Sequence, residues 1–128
     1  MNAEAELLSA YRDWHRLVQA EGRAIQTHNW ELLAGCHLAI KDFQSVAGRL
    51  LPEVRAEWRR DGRGLAEKEK NLQALLAGLL DLTRENQERL RATRAAAREQ
   101  LDRLGQAGTN LRRLHRVYGM IADGYRSR

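Results

Sequence analysis

The sequence predicts an all-α protein: an antiparallel helical hairpin followed by a long third helix, in an elongated, coiled-coil-like bundle. Composition points that way, with 30% charged residues, 5% aromatics and one proline in 128 residues. Such a chain builds a thin helical core more readily than a globular one. Periodicity agrees. From Leu65 to Leu104 there is no proline, and the only glycine is Gly78. Leu72, Leu75, Leu79, Leu82, Asn86, Leu90, Thr93, Ala97, Leu101 and Leu104 recur in steps of three and four, which places them on one side of a helix. After Leu79 these steps form an eleven-residue repeat. Such a repeat averages about 3.67 residues per turn and keeps a helix nearly straight. Two turn signals, His28-Asn29-Trp30 and Asp61-Gly62-Arg63-Gly64, cut the chain into three helical pieces within a single domain over 1–128.

Helix 1 is predicted over about 3–27. Leu7, Tyr11, Trp14, Val18, Glu21 and Ile25 form its heptad stripe. Glu21 breaks the apolar pattern. A carboxylate at the edge of the seam, with its stem packed and its charge in water, is expected ahead of a buried ion pair, because buried pairs are costly. Asn29 can cap helix 2 by accepting a backbone N–H, with Glu31 at the positive end of the dipole. Helix 2 is predicted over about 30–60. Its seam reads Trp30, Leu33, His37, Ile40, Gln44, Ala47 and Leu51, with Cys36, Phe43 and Leu50 beside it. Folding back around Asn29 sets Leu7 by Leu50, Trp14 by Phe43, Val18 by Ile40 and Ile25 by Leu33, apolar against apolar throughout. Pro52 is expected to kink or briefly break the helix.

Helix 3 is predicted over about 65–104, continuing or broken to about 118, with a frayed tail over 119–128. Gly105 and Gly108 each lower helix propensity by about 1 kcal/mol against alanine. A third helix antiparallel to the second outruns the hairpin from about Ala95 to Ala97 onward. The segment beyond either folds back at Gly105–Gly108 or leaves its apolar stripe to another chain.

Little in the sequence suggests catalysis. There is no P-loop, no dinucleotide fingerprint and no paired cysteine, and His15, His28, His37 and His115 lack the spacing of helical metal sites. No cofactor, metal or enzymatic activity is expected. Cys36 among apolar neighbours reads as a small core residue, and Trp14, Trp30 and Trp58 lie on packing stripes. No apolar run reaches bilayer length, and Glu4 and Glu6 replace a basic leader region. With a single cysteine, a reducing, cytoplasmic location is expected and stable membrane insertion is not. Net charge is +5, and from Arg84 to Arg128 eleven Arg face five acids, a local balance of +6. Those arginines alternate with acids at helical spacing, as a solvated face does, so no nucleic-acid partner is expected.

Leu7-Leu8, Trp14, Leu17 and Glu21-x-x-Ala24-Ile25 lead into Asn29-Trp30-x-x-Leu33 and Lys41. Leu79, Asn86 and Leu90, then Leu111-x-x-Leu114, Tyr118-Gly119 and Asp123-Gly124 follow. In this pattern the chain resembles the flagellar FlgN family, type III export chaperones of the hook–filament junction proteins; FliT, chaperone of the filament cap, has a similar hairpin. The resemblance implies a cytosolic chaperone that binds C-terminal helical segments of flagellar hook-associated proteins. It would prevent their premature assembly and deliver them to components of the export apparatus. On that expectation Ala97, Leu101, Leu104, Leu111, Leu114, Val117 and Tyr118 bind the protein partner, and Arg98, Arg103, Arg112, Arg113 and Arg116 form the rim. The alternative is a coiled-coil scaffold that self-associates through the third helix as a homodimer.

Overall fold

α1 and α2 begin and end where local chemistry satisfies their open backbone groups. The computed structural model describes residues 2–126, with side chains described through residue 120. The fold is all-α: α1 runs Ala3–Gln26, α2 Trp30–Asp61 and α3 Leu65–Arg126, with no strand among the described residues. The Asn2 side chain caps α1 by accepting from Glu4 N–H at 3.0 Å, and Glu4 and Glu6 sit at the positive end of the dipole. At the other end His28 N–H donates to Ile25 O and Asn29 N–H to Ala24 O, the paired bonds of a Schellman cap. The left-handed residue of that cap is His28, at φ 56°.

Asn29 serves both helices. Its N–H closes α1, and its side-chain oxygen accepts from Leu32 N–H at 3.1 Å to open α2. The connection is therefore as short as the turn signal predicts. A left-handed conformation disfavours a residue with a Cβ. His28→Gly is therefore expected to raise stability by about 0.5–1 kcal/mol, after allowing for the freer unfolded chain. Thermal denaturation checks it, and a lower midpoint would contradict the strain argument.

α2 continues unbroken through Pro52. Pro52 and Gly48, whose carbonyl the missing N–H would have met, are both exposed, so water can satisfy that carbonyl. Gly62 at φ 68° ends α2 with its N–H on Trp58 O at 2.9 Å, and Gly64 at φ 60° starts the next turn. Arg55 reaches across to Glu69 with two bonds, 3.1 and 3.5 Å, while Lys68 lies 3.7 Å from Asp61 and 6.0 Å from the Trp58 ring centre.

The main core gathers Leu7, Tyr11 and Val18 of α1, Ile40, Ala47, Leu50, Val54 and Trp58 of α2, and Leu72 and Leu79 of α3. A smaller cluster of Ala24, Ile25 and Leu33 lies near the first turn. The predicted hairpin register is broadly kept, with Leu7 and Leu50, and Val18 and Ile40, in one cluster and Ile25 with Leu33 in the other. The α2 seam differs from expectation. Cys36 and Leu50 are buried, whereas Trp30, His37 and Gln44 are exposed. The buried face of α2 is turned toward α1 on the Cys36 side, while His37 and Gln44 line an open cleft between α2 and α3. Trp14 packs with Tyr11, ring centres 6.1 Å apart, while Phe43 is only half-buried.

Contacts divide the chain into two compact units, Met1–Leu90 and Arg91–Arg128. The described core residues all lie in the first unit. Within the second, the helix passes through Gly105 and Gly108 without folding back and extends to Arg126, past the expected fraying point at 119. Thr109 Oγ1 donates to Gly105 O at 3.0 Å, and the Gln106 amide donates to Asn110 at 3.4 Å. Good helix formers such as Leu101, Arg103, Leu104, Leu111 and Arg112 on both sides carry the helix across the glycines. Residues 127 and 128 of the expected tail, and the side chains of Asp123-Gly124, lie outside the described residues.

Candidate protein-docking surface and a buried polar triad

In the second unit every predicted anchor is exposed. Leu101, Leu104, Leu111, Leu114 and Tyr118 retain 51–68% of their accessible surface, Val117 retains 53%, and Ala97 is exposed too. Continuous helix sorts them by angle. Ala97, Leu101, Leu104, Leu111, Leu114 and Tyr118 share one broad face, whereas Val117, one position before Tyr118, turns about 100° away from it. The rim residues Arg98, Arg103, Arg112, Arg113 and Arg116 are exposed. Arg103 Nη2 donates to Glu99 Oε1 at 2.8 Å. Arg112, Arg113 and Arg116 meet no carboxylate among the described residues. A sustained row of exposed leucines is the kind of surface that marks an interaction site.

In the first unit, polar residues from three helices converge. Glu21 of α1 is buried, with its side chain 9% exposed, and both carboxylate oxygens are engaged. His37 Nε2 of α2 lies 2.9 Å from Oε2, and Asn86 Nδ2 of α3 donates to Oε1 at 3.2 Å. The Asn86 amide also donates to Val18 O at 2.8 Å, and Asn86 is 1% exposed. The expectation of a wet Glu21 carboxylate is thus corrected. α3 covers the edge that a two-helix hairpin would leave open, and the charge is held by hydrogen bonds instead of water. Each partner sits at a position where a polar residue interrupts an apolar stripe. That coincidence was the available signal, since three polar interruptions on three helices can satisfy one another.

Gly22 explains why α1 and α3 approach so closely here. A Cβ at Gly22 would lie 2.8 Å from Asn86 Oδ1, a buried oxygen with no hydrogen-bond donor among the described residues. Asn86 is pinned by its two donated bonds and cannot swing aside. Alanine in a helix interior ordinarily gains about 1 kcal/mol over glycine. Gly22→Ala is nevertheless expected to destabilise the protein by about 1–2 kcal/mol, because overpacking outweighs propensity. Urea denaturation measures it, and a stabilised variant would contradict the close approach.

A cleft of about 500 Å³ lies beside the triad, walled by Trp14, Ile25, Ile40, Leu80 and Leu90, with Glu21, His37 and Asn86 in its lining. Its acid is committed to structure at both oxygens. Cys36 is buried nearby, and burial pushes its thiol pKa up; the Glu21 charge acts the same way and Arg23 opposes them. The thiol therefore stays protonated at neutral pH, a poor nucleophile. Tyr11 is likewise pushed up by burial, with Arg55 opposing. Among the described residues no three His, Cys, Asp or Glu side chains are grouped to hold a metal ion, and no helix is long and apolar enough to cross a membrane. No family model, curated protein or solved structure matches the chain.

Proposed function

We propose that the chain is a cytosolic export chaperone of the FlgN kind, holding C-terminal helical segments of flagellar hook-associated proteins. In this role it keeps them from assembling early and hands them to the type III export apparatus. One observation carries the reading: an exposed apolar face, from Leu101 to Tyr118, on a helix whose neighbouring side chains are arginines. An amphipathic segment laid along that face buries its own leucines against these and completes a two-helix seam.

The test is titration of the full chain with C-terminal segments of its host's hook-associated proteins, followed by calorimetry. Saturable one-to-one binding is the expected result. Mass measurement across concentrations accompanies it. A chain that stays dimeric at every dilution and ignores those segments would instead be the self-associating scaffold.

A further inference from the structure

The arginines of the second unit lie on one side of its apolar face, and this asymmetry selects the occupant. With residues advancing about 100° each, Leu101, Leu104, Leu111, Leu114 and Tyr118 occupy one face of about 140°. Arg91, Arg94, Arg98, Arg112, Arg113 and Arg116 fall within a separate arc of about 100° along one edge and behind it. Arg103 lies near the other edge, where Glu99 already engages it at 2.8 Å. Between Arg103 and Met120 the sequence has no Asp or Glu at all.

We infer that the partner seated on this face is an amphipathic helix with one acidic flank: leucine-like side chains at three–four spacing, and carboxylates along the edge that meets the arginines. This rests on the reading of the face as a capture surface and adds what that surface selects. Guanidinium groups pair with carboxylates through two parallel bonds, so a row of them fixes register as well as charge. A second copy of this chain is a poor occupant. Antiparallel copies set arginine edge against arginine edge, and parallel copies set it against the edge of Arg103, whose acid, Glu99, is already engaged; the other acid of this stretch, Asp102, lies within the arginine arc itself. An anionic lipid surface draws on both edges of an amphipathic helix alike, whereas this helix is basic along one.

The experiment uses the full chain and labelled helix-forming peptides of about 20 residues. All share one leucine stripe and differ in a single flank, built from Glu, Gln or Lys, with either flank chosen. One of the Glu peptides should bind at least about tenfold more tightly than its Gln counterpart, the Lys peptide should bind most weakly, and the gap should narrow with added salt. In the triple variant R112E/R113E/R116E, shown by circular dichroism to keep its helicity, the order of Glu and Lys peptides should reverse. Equal binding of all peptides would overturn the acidic flank while leaving capture by the leucines intact. Failure of every peptide to bind would remove the capture reading as well. Tighter association with phosphatidylglycerol vesicles than with any peptide would overturn the inference in favour of a membrane surface.

Discussion

Asn86→Ala is expected to cost about 3 kcal/mol of folding stability, in the range for breaking a buried, hydrogen-bonded charge. Three losses combine. One oxygen of the Glu21 carboxylate loses its donor at 3.2 Å, and the Val18 carbonyl, which keeps its bond within α1, loses a second donor at 2.8 Å. A fully buried side chain also leaves a cavity behind. Burial prevents water from easily replacing the missing donor, because Glu21 has its side chain only 9% exposed and His37 alone would remain to hold it. Gln87→Ala, one position along on an exposed face, should stay within about 0.5 kcal/mol of the parent. Urea unfolding of the two variants side by side measures the contrast. A loss under about 1 kcal/mol for Asn86→Ala would mean that the triad is solvated in solution. The same substitution should loosen α3 in particular, because Asn86 follows Leu72 and Leu79 at seven-residue spacing along its buried edge. Amide exchange of residues 72–90 should then rise more than that of the α1–α2 turn.

The double variant L111A/L114A is expected to lower affinity for the captured segment by at least about a hundredfold, since two buried leucines contribute about 1.5 kcal/mol or more each. Its own folding should barely change. Both side chains keep more than half of their surface exposed, 58% and 51%, in the free chain, so truncation removes little that stabilises it. The separation of binding from stability is the diagnostic feature. Calorimetry against a hook-associated C-terminal segment reads the first, and circular dichroism reads the second. Undiminished binding would move the contact surface elsewhere, with the cleft between Trp14 and Leu90 as the next place to examine by substitution.

The hairpin and its turns were legible because their causes are local. Asn29 announces a cap, Gly62 and Gly64 supply left-handed backbone, and the heptad of Leu7, Tyr11, Val18 and Ile25 marks one buried face. The exposure of Leu101, Leu104, Leu111 and Leu114 follows from a stripe longer than the helical hairpin could cover. Less could be read where a residue's environment depends on two neighbours at once. Cys36 replaced His37 in the α2 seam because a cleft opens between α2 and α3 beside His37 and Gln44, and a single-stripe pattern cannot register it. Where Val117 lies relative to the other anchors, about 60° beyond Leu114, follows only once the helix is known to run unbroken through Gly105–Gly108.

By itself, then, the sequence determined the helical class, the positions of the turns, the capped ends and the leucine stripe with its arginines. These follow from periodicity and from bonds between residues a few positions apart. The tertiary structure alone decided that Glu21 is buried, that His37 and Asn86 hold it, and that Gly22 must lack a side chain. Those facts join residues as many as 68 positions apart, as in the bond from Asn86 to Val18. They arise only when α3 closes over the hairpin and replaces the water that a two-helix edge would have kept.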